Sequence, residues 1–347
     1  MNFKKMLVLV GLLVIAAVVL TACGTAGPQG PQGEPGPAGP QGEPGPEVSA
    51  ANLSCTECHN DTALITGKKA AWEESLHGSG SAFIEEGPRN SCAGCHSGAA
   101  FSEMIAAGGN FSTVESGDAD PTHQDCRTCH QIHVTYTGED WALETDAPVT
   151  MVTSGVTFDG GAGNLCANCH QARRYLSSFV DANDATKYAA NARFNTHYSV
   201  QADVLMGAGD FGVEGKPGAH YQNVENTCVG CHMGESQAHN FEPQISTCQE
   251  CHTDVEDFNV NGYLDEFEAK YAELEAALLA KGIIADNGDG TFSTVTKNAD
   301  GSPVLLDPGP AQALFFYNLV HEDGSEGIHN PSYFKALMEN ALAALQQ

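Results

Sequence analysis

The sequence predicts a mainly α chain with much irregular structure, wrapped around bound groups more than around a core of its own. Three observations carry this. Twelve of the 13 Cys fall into six copies of Cys-x-x-Cys-His, 38 Gly and 16 Pro cut the 347 residues into short pieces, and aromatic residues make up only 7%. An apolar share of 41% supports a folded domain but excludes a polytopic membrane protein. A formal net charge of −29 argues against nucleic acid or anionic lipid as a main partner, because both demand basic patches.

Residues 1–22 read as a bacterial lipoprotein signal peptide. Lys4 and Lys5 form the charged start, and Met6 to Leu20 is an apolar run too short for a spanning helix. The run ends in Leu20-Thr21-Ala22-Cys23, which resembles the lipoprotein cleavage box and accounts for the thirteenth Cys as a lipidated N-terminus. The chain is therefore expected outside the cytoplasm, in the periplasm or at the cell surface, tied to a membrane by lipid alone.

Residues 23–47 hold this anchor and a stalk. From Gly27 to Glu47 run seven uninterrupted Gly-x-y triplets. Only Gly fits at a triple-helix axis, and Pro presets the polyproline geometry. Two readings stay open: a stiff single-chain spacer, or a collagen-like stalk that makes the protein a homotrimer. Either reaches roughly 65 Å at ~3.1 Å per residue. The stalk holds none of the six motifs, so electrons cannot hop along it and the head must meet its partners by contact.

Residues 48–254 carry the motifs. In order, they are Cys55, Cys58 and His59; Cys92, Cys95 and His96; Cys126, Cys129 and His130; Cys166, Cys169 and His170; Cys228, Cys231 and His232; and Cys248, Cys251 and His252. Random placement at this composition gives about 0.02 copies. Cys-x-x-Cys-His is the attachment site of c-type haem. Two thiols bond the porphyrin, and the adjacent His lies under the iron as proximal ligand. Zinc knuckles do not require a His after every second Cys, and disulfides do not repeat one. Six covalent haem c groups in about 200 residues leave little room for a protein-only core, so the haems are expected to serve as the core of this head. Haem c is attached outside the cytoplasm, in agreement with the signal peptide.

Fourteen His less six proximal leaves eight: His77, His123, His133, His197, His220, His239, His321 and His329. Six haems ligated by two His each need six of these. Mature Met residues are few, so bis-His ligation is the expectation, with lower potentials than Met/His ligation.

The segments SLHGSG at His77, CRTCHQIH at His133, NLCANCHQ at His170, THYSVQADVLMG at His197, HNFEP at His239 and EDGSEGIHNPSY at His329 resemble the multihaem cytochrome c superfamily that includes nitrite reductase and octahaem relatives. The chain is most similar there to hexahaem lipoprotein members known as electron carriers. The resemblance implies that His77, His133, His197, His239 and His329 are distal ligands. His220 is added because it lies eight residues before Cys228, in a gap otherwise served by His197 alone. His123 and His321 are the expected surplus.

Residues 255–347 change character. Leu264, Phe267, Tyr271, Leu274 and Leu278 recur at helical spacing, with Gly282 as stop. Asn287-Gly288-Asp289-Gly290 marks a turn. Residues 311–320 read as helix. A last helix starts with Asn330 as N-cap and Pro331 at its first position, and buries Phe334, Leu337, Ala341 and Leu345. This region is expected to pack on the haem core. Residues 257–268 also satisfy D-x-[DN]-x-[DN]-G-x₅-E, the EF-hand calcium pattern. Oxygens would come from Asp257, Asn259, Asn261, the Tyr263 carbonyl, Asp265 and Glu268, holding one Ca²⁺. No helix is evident before the loop.

The sequence therefore predicts a haem-cored head on a collagen-like stalk. The expected function is an extracytoplasmic hexahaem electron carrier in respiratory or extracellular electron transfer, serving redox proteins or an external acceptor, with no catalytic residue of its own. The alternative is a multihaem reductase of nitrite, hydroxylamine or a sulfur oxyanion with one open iron. Relatives of that kind usually carry Cys-x-x-Cys-Lys at the active haem, and all six motifs here end in His.

Overall fold

The computed structural model describes residues 63–346. The signal peptide, Cys23, the Gly-x-y stalk and the first motif, made of Cys55, Cys58 and His59, lie outside the described residues.

Short helices and loops alternate through the motif-bearing region. α1 (Ala63–Glu74), α2 (Asn90–His96) and α3 (Gly98–Ala106) are followed, after a long irregular stretch, by α4 (Gln201–Met206). Ser97 ends α2 and starts α3: its extended backbone breaks the helix, and its hydroxyl accepts from Ala100 N. Single helical turns stand at Cys126–Cys129, Gly163–Ala167, Cys228–His232 and Ile245–Gln249. Strands among the described residues form three two-stranded antiparallel pieces: β1 (Val149–Thr150) with β2 (Thr157–Phe158), β3 (Tyr188–Ala189) with β6 (Leu305–Leu306), and β4 (Ile284–Asp286) with β5 (Phe292–Thr294). The predicted turn at 287–290 joins β4 to β5, with Gly288 and Gly290 at φ of 82° and 86°, where only Gly is free of strain.

The C-terminal part is three long helices. α5 (Tyr263–Ala280) buries Phe267, Leu274 and Leu278. α6 (Pro308–Asp323) opens on two prolines and stops at Gly324, which is left-handed. α7 (Pro331–Leu345) is capped by the Asn330 side chain, which accepts from Tyr333 N, and it buries Phe334, Leu337, Ala341 and Leu345. Among the described residues no helix is long and apolar enough to cross a membrane.

A protein-only core that the motif spacing does not predict joins these helices to residues 172–211. Phe179, Phe194, Val204 and Phe211 share one buried cluster with Leu278, Phe315, Leu319 and Phe334. β3 pairs with β6 across the same divide, so the motif region and the C-terminal helices are one packed body. The motif-bearing half has only small clusters, one around Met151, Phe158 and Leu205 and one around Phe101, Met104 and Phe111.

Candidate haem-binding sites

Five of the six motifs are described, and each is built on or beside a turn of helix. In three of them the histidine N–H closes the turn on the first cysteine: His130 to Cys126 O, His170 to Cys166 O and His252 to Cys248 O, at 2.8–2.9 Å. In the fourth and sixth motifs the helix stops before the second cysteine. Cys169 and Cys251 still keep the turn, donating their N–H groups to Cys166 O at 3.1 Å and Cys248 O at 3.2 Å. Helical geometry puts residues three apart on one face, so the two thiols of each motif face the same way with the histidine beside them. All ten described cysteines are free thiols.

Cys251 of the sixth motif is exposed, as is Cys126 of the third, while the other eight described cysteines are half-buried. Cys58 lies outside the described residues with Cys55 and His59, so the first motif stands on its spacing alone.

The fold brings a second histidine to each described motif. His96 faces His197 with ring centroids 6.0 Å apart, His170 faces His77 at 6.1 Å, and His232 faces His329 at 6.2 Å. His130 faces His239 at 6.3 Å, and His252 faces His220 at 6.5 Å. Two imidazoles bound to one metal from opposite sides, at roughly 2 Å per bond, stand about 6 Å centroid to centroid.

The outer ring nitrogens support the same arrangement. Nδ1 of His130, His220, His232 and His239 donates to the backbone carbonyls of Trp141, Ile328, Phe241 and Gln237, at 2.6–2.8 Å. Nδ1 of His170 meets Gln201 Oε1 at 3.2 Å, an orientation fixed because Gln201 Nε2 donates to the Glu322 and Asp323 carbonyls. Nδ1 of His329 meets a carboxylate, Asp323 Oδ1, at 2.8 Å. A proton committed to Nδ1 leaves Nε2 as a lone pair, the form that binds metal. Burial pushes His77 down to about 4, helped by His170. Burial likewise takes His197 to about 4, with Arg173, His96 and Arg174 adding to it. Both stay neutral near pH 7. Burial alone would lower His329, but the Asp323 charge outweighs it and raises the imidazole.

Two of these histidines need unusual backbone. His133 and His197 have φ of 66° and 73°, a region uncommon for residues other than Gly. Asp140 holds the first. Its buried carboxylate accepts from the N–H groups of His133, Thr135 and Tyr136 and from the Thr135 hydroxyl. Burial would raise this carboxyl, yet those hydrogen bonds keep it below its usual range. Asn195 Oδ1 holds the second by accepting from His197 N. His133 stacks on Tyr136 at 5.4 Å and is not one of the five pairs. Neither is His123, whose Nδ1 contacts the His77 carbonyl at 3.2 Å while its ring packs on Phe83, nor His321, which is exposed beside Tyr198.

Apolar side chains next to three predicted distal ligands stand open. Leu76 beside His77 is 86% exposed, and Val134 beside His133 and Tyr198 beside His197 are each 65% exposed. Apolar residues standing singly at a surface are ordinary, and a porphyrin face beside each histidine would cover these. The donor set, ring spacing, tautomers and open apolar faces thus fit haem.

The supporting residues Gln201, Asp323, Phe241, Arg173, Arg174 and Asp140 carry no motif. Of these, Gln201, Asp323 and Phe241 lie in the segments around His197, His329 and His239, which are their only signal in the sequence.

In the calcium-pattern segment, α5 begins at Tyr263, inside the loop, and Asn259 Oδ1 accepts from the N–H groups of Leu264 and Asp265. Gly262 takes the left-handed turn the pattern asks of it, with φ 73°. Among the described residues no group of three or more His, Cys, Asp or Glu converges as a metal site.

No protein-family model matches the chain. It is 24% identical over 380 residues to the C-type polyheme cytochrome OmcB of two Geobacter sulfurreducens strains, across 85% of this chain and 47% of the relative. The chain thus spans about half the length of the curated relatives it matches. The crystal structure of outer cell wall cytochrome OcwA shares the fold, with a TM-score of 0.51 and 20% identity over 80% of this chain and 50% of that one.

Proposed function

We propose that this chain, a member of the multihaem cytochrome c superfamily, is an extracytoplasmic electron carrier holding six covalent haem c groups, each between two histidines. The observation that carries the reading is the set of five motif histidines, each facing a second histidine at 6.0–6.5 Å. The pairs would be His96 with His197, His130 with His239, His170 with His77, His232 with His329 and His252 with His220. Of the three histidines outside these pairs, His133, held on its Asp140 turn, is the one the resemblance makes a distal ligand, and it would go to His59. When bound, each haem supplies a one-electron Fe(III)/Fe(II) couple.

The chain's own residues then do three things. The cysteines fix the groups. The carbonyl, amide and carboxylate partners at Nδ1 hold the imidazoles of His130, His170, His220, His232, His239 and His329 in tautomer and orientation. Paired histidines would hold each iron from both sides and leave no position for a substrate, which favours a carrier over a reductase. Cys23 would tether the head by lipid, and residues 27–47 would set it off from the membrane as a spacer or a trimeric stalk. Its partners would be redox proteins or an external acceptor at the periplasm or cell surface.

A pyridine haemochrome assay should give six haems per chain, and the oxidised protein should show only low-spin iron in EPR. Fewer than six, or a strong high-spin feature, would overturn the assignment.

Calcium belongs to the same proposal. Residues 257–268 would bind one Ca²⁺ through Asp257, Asn259, Asn261, Tyr263, Asp265 and Glu268, once Asn259 Oδ1 exchanges backbone for metal. Binding only to the folded state would stabilise it by about 2.7 kcal/mol at one hundred times the dissociation constant. Chelation should lower the melting temperature and speed proteolysis of α5 without changing the haem spectrum, and Glu268→Gln should do the same. Equal melting with and without chelator would reduce the loop to a helix start.

A further inference from the structure

The outer partners of the ligand pairs differ in charge, and the three pairs that differ most are neighbours. The Cys166 thiol of the fourth motif contacts the Cys228 thiol of the fifth, and its Cys169 contacts Cys95 of the second. Cys228 Sγ also lies 3.9 Å from Gly163 O, and Cys169 Sγ lies 4.0 Å from Gly94 O. The fourth site therefore stands between the fifth and the second.

At the fifth site, His329 Nδ1 is bonded to Asp323, whose side chain is fully buried. The Nδ1 contacts of His130, His170, His220, His232 and His239 are all to a neutral carbonyl or amide. At the fourth site the partner is the amide of Gln201. The second site is flanked by two guanidiniums. Arg173 bonds Ser91 O, next to Cys92, with its side chain and Thr196 O, next to His197, with its backbone N–H. Arg174 bonds Asn195 Oδ1, the oxygen that also holds His197 N, and its Nε is buried with no partner. Of the acids that face this site, Glu86 is paired to Arg89 at 2.8 Å, and Glu322, near Arg174, accepts from Asn195 Nδ2 at 2.8 Å.

Resting on the ligand pairing proposed above, we infer that these three sites form a directional relay, with potential rising from His232/His329 through His170/His77 to His96/His197. A carboxylate on the outer nitrogen makes an imidazole a stronger donor and favours the oxidised iron. Nearby positive charge favours the reduced iron. One electron leaves the fifth site, which passes from Fe(II) to Fe(III), and reduces the fourth from Fe(III) to Fe(II). The same exchange follows between the fourth and the second. No bond is made or broken.

The test is an EPR-monitored redox titration of the intact haem-loaded protein and two variants. Asp323→Asn keeps the shape and an acceptor oxygen but removes the charge. It should shift the most negative couple at least tenfold toward reduction, about 59 mV for one electron, with six low-spin haems retained. Arg173→Gln, at a half-buried position, should move the most positive couple in the opposite direction. Six low-spin haems whose extreme couples ignore both changes, or move with the wrong sign, would overturn the relay and leave the ligand pairing standing. High-spin iron in the unmodified protein would overturn the pairing and the relay together.

Discussion

Replacing His329 with Ala should turn one low-spin site high-spin and cost the folded protein about 3 kcal/mol or more. Two losses coincide at this residue. Its ring is the partner of His232 at 6.2 Å, so the fifth site would lose an axial ligand. Its Nδ1 is also the partner of Asp323, a side chain with no exposure. Breaking a buried pair by removing one member leaves the other charge uncompensated, which costs more than the pair contributes when intact. Ser325 still donates its hydroxyl to Asp323, so the penalty stays below that of a bare charge. His321→Ala, eight residues earlier and exposed, should change neither spectrum nor melting. An unaltered visible and EPR spectrum in His329→Ala would remove it from the ligand set.

Phe334→Ala should destabilise the protein by about 3–5 kcal/mol while leaving all six haems low-spin. The Phe334 ring is fully buried, with Phe316 at 5.8 Å and Phe267 at 6.0 Å, so it fills the junction of α5, α6 and α7. Close packing there is visible at Gly327, where an added Cβ would lie 3.0 Å from Phe334 Cβ. None of the five ring pairs includes a side chain from this junction. Denaturant unfolding followed by far-UV circular dichroism and by haem absorbance would separate the two effects. A loss under about 1 kcal/mol would mean that the covalent groups, and not this core, carry the stability.

Much of the C-terminal fold is legible in the sequence because its signals are local. Asn330-Pro331 starts α7, Gly324 stops α6, and the spacing of Phe267, Leu274 and Leu278 marks the inner face of α5. α5 begins at Tyr263 and not nearer Val255, where the amphipathic character first shows, because Asn261 and Gly262 both take left-handed backbone. The protein-only core is not legible in this way. Its contacts join Phe194 to Phe315 and β3 to β6, more than one hundred residues apart, and no periodicity within either segment records the other.

The same division runs through the haem sites. By itself the sequence determined the motifs: two thiols and an imidazole in one turn of helix are a local arrangement, complete within five residues. It also supplied candidate second histidines by number and by resemblance. Only the tertiary structure decided which histidine faces which. His77 and His170 lie on separate segments that meet through long-range packing. The tertiary structure alone also set Asp323 against His329 and Arg173 beside His197, because the field at a ligand depends on which charges the fold brings near it, and Coulomb interactions follow distance in space rather than position in the chain.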